Sequence, residues 1–225
     1  EMTGLIQKDP KLLFSMISVQ NRDPIFMEAA RLSAELKIWL HVGSTPIDLE
    51  NGKAANRAGL FSPKGTLTTI YDKIHMFDVD LDNGESWRES AVYQPGSRCT
   101  VEEINGAKLG FGICYDIRFP HLFRTQALAG AHILTVPAAF TRQTGEAHWH
   151  ALLRARAIEN GAFVIASAQG GLHEDGRETY GHSLIIDPWG RIIAEKNDDE
   201  PGIIVANIDL EEAATERKKI PNLAN

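Results

Sequence analysis

The sequence predicts an α/β fold of the αββα kind, a four-layer sandwich with two sheets face to face and helices outside. Three observations predict it. Helical stripes at 24–36, 120–129 and 146–160 are separated by hairpins and strand pairs, which fits two sheets better than one open sheet or a closed barrel. The stretch Lys108-Leu-Gly-Phe-Gly-Ile-Cys114 alternates apolar residues with glycine as a buried strand does, and a helix follows it. At 225 residues the chain is long enough for one sizeable core, and residues 1–225 are expected to form a single domain.

Taken in order, residues 1–23 read as irregular, with Pro10 and Pro24 as punctuation. Residues 24–36 place Ile25, Phe26, Ala29, Leu32 and Leu36 on one helical stripe behind an Asp23 N-cap. A strand is expected at 38–44. Asn51-Gly52 is a hairpin turn leading to a strand at 56–62. Pro63-Lys64-Gly65 turns the chain into a strand at 66–71. Residues 74–98 form a long connection holding Asp78, Asp80, Asp82, Glu85 and Glu89, and loops of that length inside a domain are usually functional. Strands at 100–104 and 108–114 form a second hairpin across Asn105-Gly106. Helix 120–129 opens on Pro120 and stops at Gly130. Strand 132–138, helix 146–160 and strands 163–168, 183–187, 191–194 and 202–208 follow, with a short helix at 210–218. Glu1 is no initiator Met and the chain stops at 225 without a cap, so both ends read as cut.

Composition excludes several function classes. A net charge of −7 leaves no basic footprint for nucleic acid. Two cysteines are too few for a disulfide framework, so a reducing, cytoplasmic setting is expected. No apolar run is long enough to cross a membrane.

Cys114 sits on a strand-to-helix elbow. A lone Cys is by default a small buried hydrophobe, but a core Cys needs no such turn. Near a helix N-terminus the thiolate is favoured over the thiol, and the flanking glycines are expected to keep the approach to sulfur narrow. A thiolate nucleophile needs a base for its proton and a cation for the developing negative charge. No histidine here carries a papain-like or caspase-like signature. Lys73, at a strand end before the acidic loop, is a candidate cation, although a lysine there is by itself more often solvated. The same holds for Glu1 and Glu89 taken singly.

The motif set resembles the nitrilase (carbon–nitrogen hydrolase) superfamily. It comprises Lys73-Ile-His-Met-Phe-Asp-Val-Asp80, Glu89-Ser90, Gln94-Pro-Gly96, Gly112-Ile-Cys-Tyr-Asp-Ile-Arg-Phe-Pro120, Pro137-Ala-Ala-Phe140, Thr144-Gly-Glu-Ala-His-Trp149, Arg154-Ala-Arg156, Tyr180-Gly-His-Ser183 and Asp187-Pro-Trp-Gly190. It is most similar to the omega-amidase and deaminated-glutathione amidase branch, and the likeness runs nearly the whole chain. The resemblance implies a Glu–Lys–Cys triad of Glu1, Lys73 and Cys114, with Glu89 as an additional glutamate beside it. It implies Cys114 as nucleophile, Glu1 as general base, Lys73 and the backbone N–H of Tyr115 at the oxyanion, and a linear amide cleaved through a thioester. It implies no metal or organic cofactor, a small-molecule amide as the partner, and a homodimer or higher even oligomer. Relatives carry a strand, a helix and a second strand before the triad glutamate; here these are expected to be missing. Many relatives also carry Glu where this chain has His121, a change expected to alter the pocket or the dimer face.

Further residues have two readings each. Arg118 is a candidate for a substrate carboxylate, a salt bridge to Asp116 or a contact with a helix end. Tyr115 and Phe140 wall a pocket or fill the core. Thr144 and His148 are expected just ahead of helix 146–160, where backbone donors face an anion. His148 and His150 should face different ways, too divergent for a metal pair. Arg154, Arg156 and Glu159 should knit their helix to its neighbours, Cys99 should be inert, and 197–200 should be a solvated turn. The rival activities are a nitrilase or an N-carbamoyl amino acid hydrolase with the same triad, or a non-catalytic binding protein on this fold.

Overall fold

The computed structural model describes every residue except Asp82, Asn83, Glu85 and Asn225. Asp82 and Glu85, two of the acidic positions noted in the 74–98 connection, lie outside the described residues. The chain divides into two compact units, Glu1–Arg98 and Cys99–Asn225.

The first unit starts with a helix where an irregular segment was expected. α1 (Pro10–Met16) forms because Asp9 caps it, accepting from the N–H of Lys11 at 2.8 Å and of Leu12 at 3.1 Å. Pro10 occupies the first helical position, where its fixed φ and missing N–H suit the backbone. It begins the helix; it does not break the chain. α2 (Pro24–Leu36) has the expected bounds, and Asp23 accepts from the Phe26 N–H at 2.8 Å. Its buried stripe packs Phe26 and Ala29 against Val42 and Phe61. The Phe26 and Phe61 rings meet edge to face at 5.4 Å.

β1 (Leu40–Asp48), β2 (Ala54–Phe61) and β3 (Leu67–Asp72) form an antiparallel sheet in that order. β2 is the central strand and is buried at every position except Arg57. β1 carries a bulge between Val42 and Thr45. It aims Ser44 at the start of the chain: Ser44 Oγ accepts from the Met2 N–H at 2.9 Å, and its carbonyl from the Thr3 N–H at 2.7 Å. The 74–98 connection contains a short hairpin, β4 (Asp78–Asp80) with β5 (Ser86–Arg88), then a 3₁₀ turn at Glu89–Ala91.

The second unit is built on a six-stranded mixed sheet of order β13-β12-β9-β8-β7-β6. β6 (Val101–Ile104) and β7 (Ala107–Phe111) are joined by Asn105-Gly106, both with positive φ, the two-residue turn that matches strand twist. β7, β8 (Ile133–Thr135) and β9 (Phe163–Ala166) run parallel. Parallel neighbours require crossovers, supplied by α3 (Pro120–Leu128) and α4 (Arg142–Asn160). α4 starts four residues earlier than the sequence pattern suggested. Its Trp149, Leu153 and Ala157 are fully buried, and Gly161 ends it at φ +51°.

A small ladder of β10 (Gly170–Leu172) with β11 (Glu178–Tyr180) precedes β12 (Ser183–Ile186) and β13 (Ile192–Lys196). The expected strand at 202–208 is not a strand. The segment pairs with no described strand; Ile203 and Val205 are 89% and 80% exposed. Alternation alone does not make a strand without a neighbour to bond. α5 (Leu210–Lys219) closes the unit behind an Asp209 cap.

Candidate active site

In the first unit, Lys73 follows the last residue of β3. Its N–H donates to the Asn56 carbonyl at 2.9 Å and its carbonyl accepts from the Gly96 N–H at 2.8 Å. The backbone is thus held on both sides, and the side chain turns inward to 2% exposure. A buried lysine needs compensation, and two carboxylates give it. Nζ lies 2.9 Å from Oε1 of Glu1, and 3.0 and 2.8 Å from the two oxygens of Glu89. Glu89 Oε2 also accepts from the Phe77 N–H at 2.7 Å. Asn56 Nδ2 completes the cluster, donating to Glu1 Oε1 at 2.8 Å and to Glu89 Oε1 at 3.2 Å.

Three residues expected to act together from the resemblance, Glu1, Lys73 and Glu89, therefore share one buried network. Asn56 went unnoticed in the sequence. Its signal was present: an amide amid Ala54-Ala55-Asn56-Arg57-Ala58 at a fully buried strand position.

In the second unit, Cys114 follows β7 and opens a 3₁₀ turn at Cys114–Arg118. Its φ is +48°, a left-handed value that a residue with a Cβ seldom adopts. The turn is held from several directions. The Cys114 N–H donates to the Pro137 carbonyl at 2.9 Å, and Asp116 accepts from the Ile113 N–H at 2.9 Å. Arg156, buried on α4, donates from Nε to the Ile117 carbonyl at 2.8 Å. The elbow is as expected; one detail of it is not. The thiol stands at a five-residue 3₁₀ turn, with α3 beginning only at Pro120, so it lacks the aligned peptide dipoles of an α-helix. Gly112 serves packing. A Cβ on Gly112 would lie 2.8 Å from Phe123 Cζ, so glycine lets α3 close onto β7.

Arg118 does not pair with Asp116, which is engaged in the turn. Its guanidinium lies 3.3 Å from His148 Nδ1 and 5.2 Å from the centre of the Phe140 ring, with Tyr115 at 6.0 Å. Burial pushes the guanidinium below its usual range, an effect opposed by the nearby Cys114 and Tyr115. No described carboxylate lies within ion-pair reach of it. Phe140 is buried and packs on Trp149 at 5.0 Å. Thr144 and His148 lie on α4 and not ahead of it; Thr144 bonds Thr141 through their hydroxyls at 2.7 Å. The His148 N–H is therefore inside the helical ladder, whereas Thr144 is the third helical residue, whose N–H has no carbonyl four residues back within the helix. His148 and His150 do face apart: His150 contacts Glu195 at 2.9 Å. Arg154 bonds the Gly190 carbonyl, Arg156 the Ile117 carbonyl, and the Glu159 carbonyl accepts from Asn222, tying α4 to its surroundings, while the Arg156–Glu159 ion pair lies within the helix. His121 is exposed on α3, and its carbonyl accepts from the Thr125 hydroxyl. Cys99 is exposed, with its thiol pushed up by neighbouring hydrocarbon. The 197–200 turn is pinned, not merely solvated: Asp199 pairs with Arg142 and Asp198 with Lys196.

The carbon–nitrogen hydrolase family profile matches residues 16–218. Deaminated glutathione amidase of Yersinia enterocolitica is 43% identical over 206 residues, covering 90% of this chain and 72% of that protein. The protein of the same name in Synechocystis is 44% identical over 180 residues, covering 79% and 66%. Omega-amidase NIT2 of Xenopus tropicalis is 38% identical over 192 residues, covering 85% and 69%. Among solved structures, the C. elegans NitFhit protein superposes with a TM-score of 0.83 at 32% identity. The match covers 96% of this chain and 52% of that one, so this chain spans about half its length. Saccharomyces cerevisiae Nit3, a member of branch 10 of the nitrilase superfamily, superposes with a TM-score of 0.82 at 30% identity, covering 95% and 76%. The α/β class read from the sequence is thus the nitrilase fold. A profile spanning both compact units, and several relatives above 40% identity across most of the sequence, lead to one conclusion: the chain belongs to the carbon–nitrogen hydrolase family.

Proposed function

We propose that the chain is an amidase of the omega-amidase or deaminated-glutathione amidase kind. It hydrolyses a small linear amide bearing a carboxylate to the acid and ammonia, through a thioester on Cys114. The observation that carries this reading is the buried ammonium of Lys73 held between Glu1 and Glu89 at 2.8–3.0 Å, in a chain of this family. Glu1 precedes the residues that the family profile matches; its role is supported by its contact with Lys73.

The roles follow from the chemistry. Glu1 takes the thiol proton as sulfur attacks the amide carbon; the S–C bond forms and the carbonyl π pair moves to oxygen. Lys73 and the Tyr115 N–H stabilise that oxyanion. The proton passes from Glu1 to the leaving nitrogen as the C–N bond breaks, releasing ammonia. Glu1 then takes a proton from water as its oxygen attacks the thioester; the S–C bond breaks and the proton returns to sulfur. Glu89 keeps Lys73 in place. Arg118 receives the substrate carboxylate, which suits a half-buried guanidinium with no acidic partner among the described residues; Phe140 and Tyr115 wall its flanks. The reading includes a cytoplasmic homo-oligomer of even number, supported by the family resemblance.

The test is ammonia release from deaminated glutathione and from ω-amides of dicarboxylates. Cys114→Ala should abolish it, and full activity in that variant would end the proposal. Release of carbon dioxide with the ammonia would instead indicate carbamoyl cleavage. Arg118→Ala should raise KM for the anionic amides by about 10- to 100-fold, the worth of a charged hydrogen bond, and leave a neutral amide of similar length little changed.

A further inference from the structure

Two irregular pieces of backbone meet at the start of the first unit. Met2 has a φ of +58°, a left-handed value that is costly for a residue with a Cβ, and its side chain is buried. The bulge in β1 sets Gly43 and Ser44 together against Ala58 alone. The two features are joined. The buried Ser44 hydroxyl accepts from the Met2 N–H at 2.9 Å, and the Ser44 carbonyl accepts from the Thr3 N–H at 2.7 Å. The Met2 side chain is held separately. It packs with Leu13, Ala54 and Tyr93, and its sulfur lies 3.8 Å from the Tyr93 hydroxyl. The Tyr93 backbone N–H in turn donates to the Glu89 carbonyl at 2.8 Å.

A left-handed residue with a Cβ persists only where its surroundings fix it, and such residues gather at functional sites. Here the residue next to it is Glu1. The Met2 N–H belongs to the Glu1–Met2 peptide, so its bond to Ser44 sets the plane from which the Glu1 side chain leaves. The Glu1 carboxylate then meets Lys73 Nζ at 2.9 Å and Asn56 Nδ2 at 2.8 Å. We propose that Ser44 is a positioning residue for the amidase reaction: by accepting from the Met2 N–H, it holds the left-handed turn that delivers the Glu1 carboxylate to Lys73. The inference rests on the amidase reading above. A bond that merely tied residues 2 and 3 to the sheet would act on stability alone. One that aims the general base also acts on kcat and on the pH at which the base works.

Ser44→Ala removes the acceptor, and Ser44→Cys keeps its shape with a weaker one. Rates are to be measured across pH on an anionic amide, with thermal unfolding as the check on folding. Ser44→Ala should lower kcat by about 10- to 100-fold, the usual penalty for a misplaced catalytic group, with KM little changed. Ser44→Cys should fall between Ser44→Ala and the parent. A carboxylate drawn away from the Lys73 ammonium holds its proton more tightly, so the acid limb of kcat should also move to higher pH in Ser44→Ala. A folded Ser44→Ala protein with the parent kcat and acid limb would overturn the proposal. Should neither variant fold, the parent protein still decides. Its Met2 amide should exchange with deuterium as slowly as the bonded amides of β1, and exchange at the rate of a frayed segment would overturn the proposal. If the parent releases no ammonia from any amide yet the Met2 amide is protected, the amidase reading falls and the pinning of Glu1 by Ser44 stands.

Discussion

At the scale of single residues, the chain keeps two expensive arrangements. One is the left-handed backbone of Cys114, a strain of about 1–3 kcal/mol for a residue with a Cβ. Glycine carries no such penalty, so Cys114→Gly should be more stable than Cys114→Ala by about 1 kcal/mol, although neither should release ammonia; paired urea titrations measure the difference. The other is Lys73. Replacing it by Met removes the ammonium that both carboxylates share, and should cost about 3–5 kcal/mol by the same measurement. Cys114 and Lys73 were legible because each sits at a strand end inside a recognisable run of neighbours. Asn56 was not, since the value of a buried amide lies in what it faces, and its partners are 55 and 33 residues away in the chain.

At the scale of elements, legibility followed local chemistry. α2 and the β6–β7 hairpin were readable to within three residues, because caps and φ-positive turns are encoded by adjacent residues. α1 was missed because Pro10 was read as an interruption when it was a first-turn residue. The start of α4 was misplaced because no hydroxyl or carboxylate caps Thr141–Arg142 through its side chain. Close packing was invisible for a different reason: that Gly112 faces Phe123 depends on where α3 lands. Gly112→Ala should therefore destabilise by about 1–3 kcal/mol, as overpacking does, and a urea midpoint shift will show it.

Two histidines set an acid limit on these same elements. Nδ1 of His132, before β8, accepts from the Lys108 N–H at 3.0 Å, which requires the neutral ring. Burial lowers its pKa, helped by Arg217 and Lys108, and burial pushes His41 on β1 down to about 4. A folded state that resists protonation loses ground to an unfolded state that accepts it. Stability should thus be full above about pH 6.5 and fall as the pH drops toward 4. His132→Gln should flatten part of that slope in unfolding measurements made at successive pH values.

For the molecule as a whole, the negative balance seen in the sequence is consistent with a small-molecule enzyme and offers nothing for polyanions. No helix among the described residues is long and apolar enough to cross a membrane. Sedimentation should give an even multiple of the 24.8 kDa chain if the proposed oligomer forms. The least protected backbone should be 202–208, which has alternating side chains and no described ladder partner. Its amides should exchange with deuterium early, and an aliphatic-directed protease such as elastase should nick first beside Ile203 or Val205. A preparation of this protein would then age from that one ribbon inward. Storage losses would track clipping and β-type self-adhesion there, long before the buried ammonium or the bent cysteine elbow came undone.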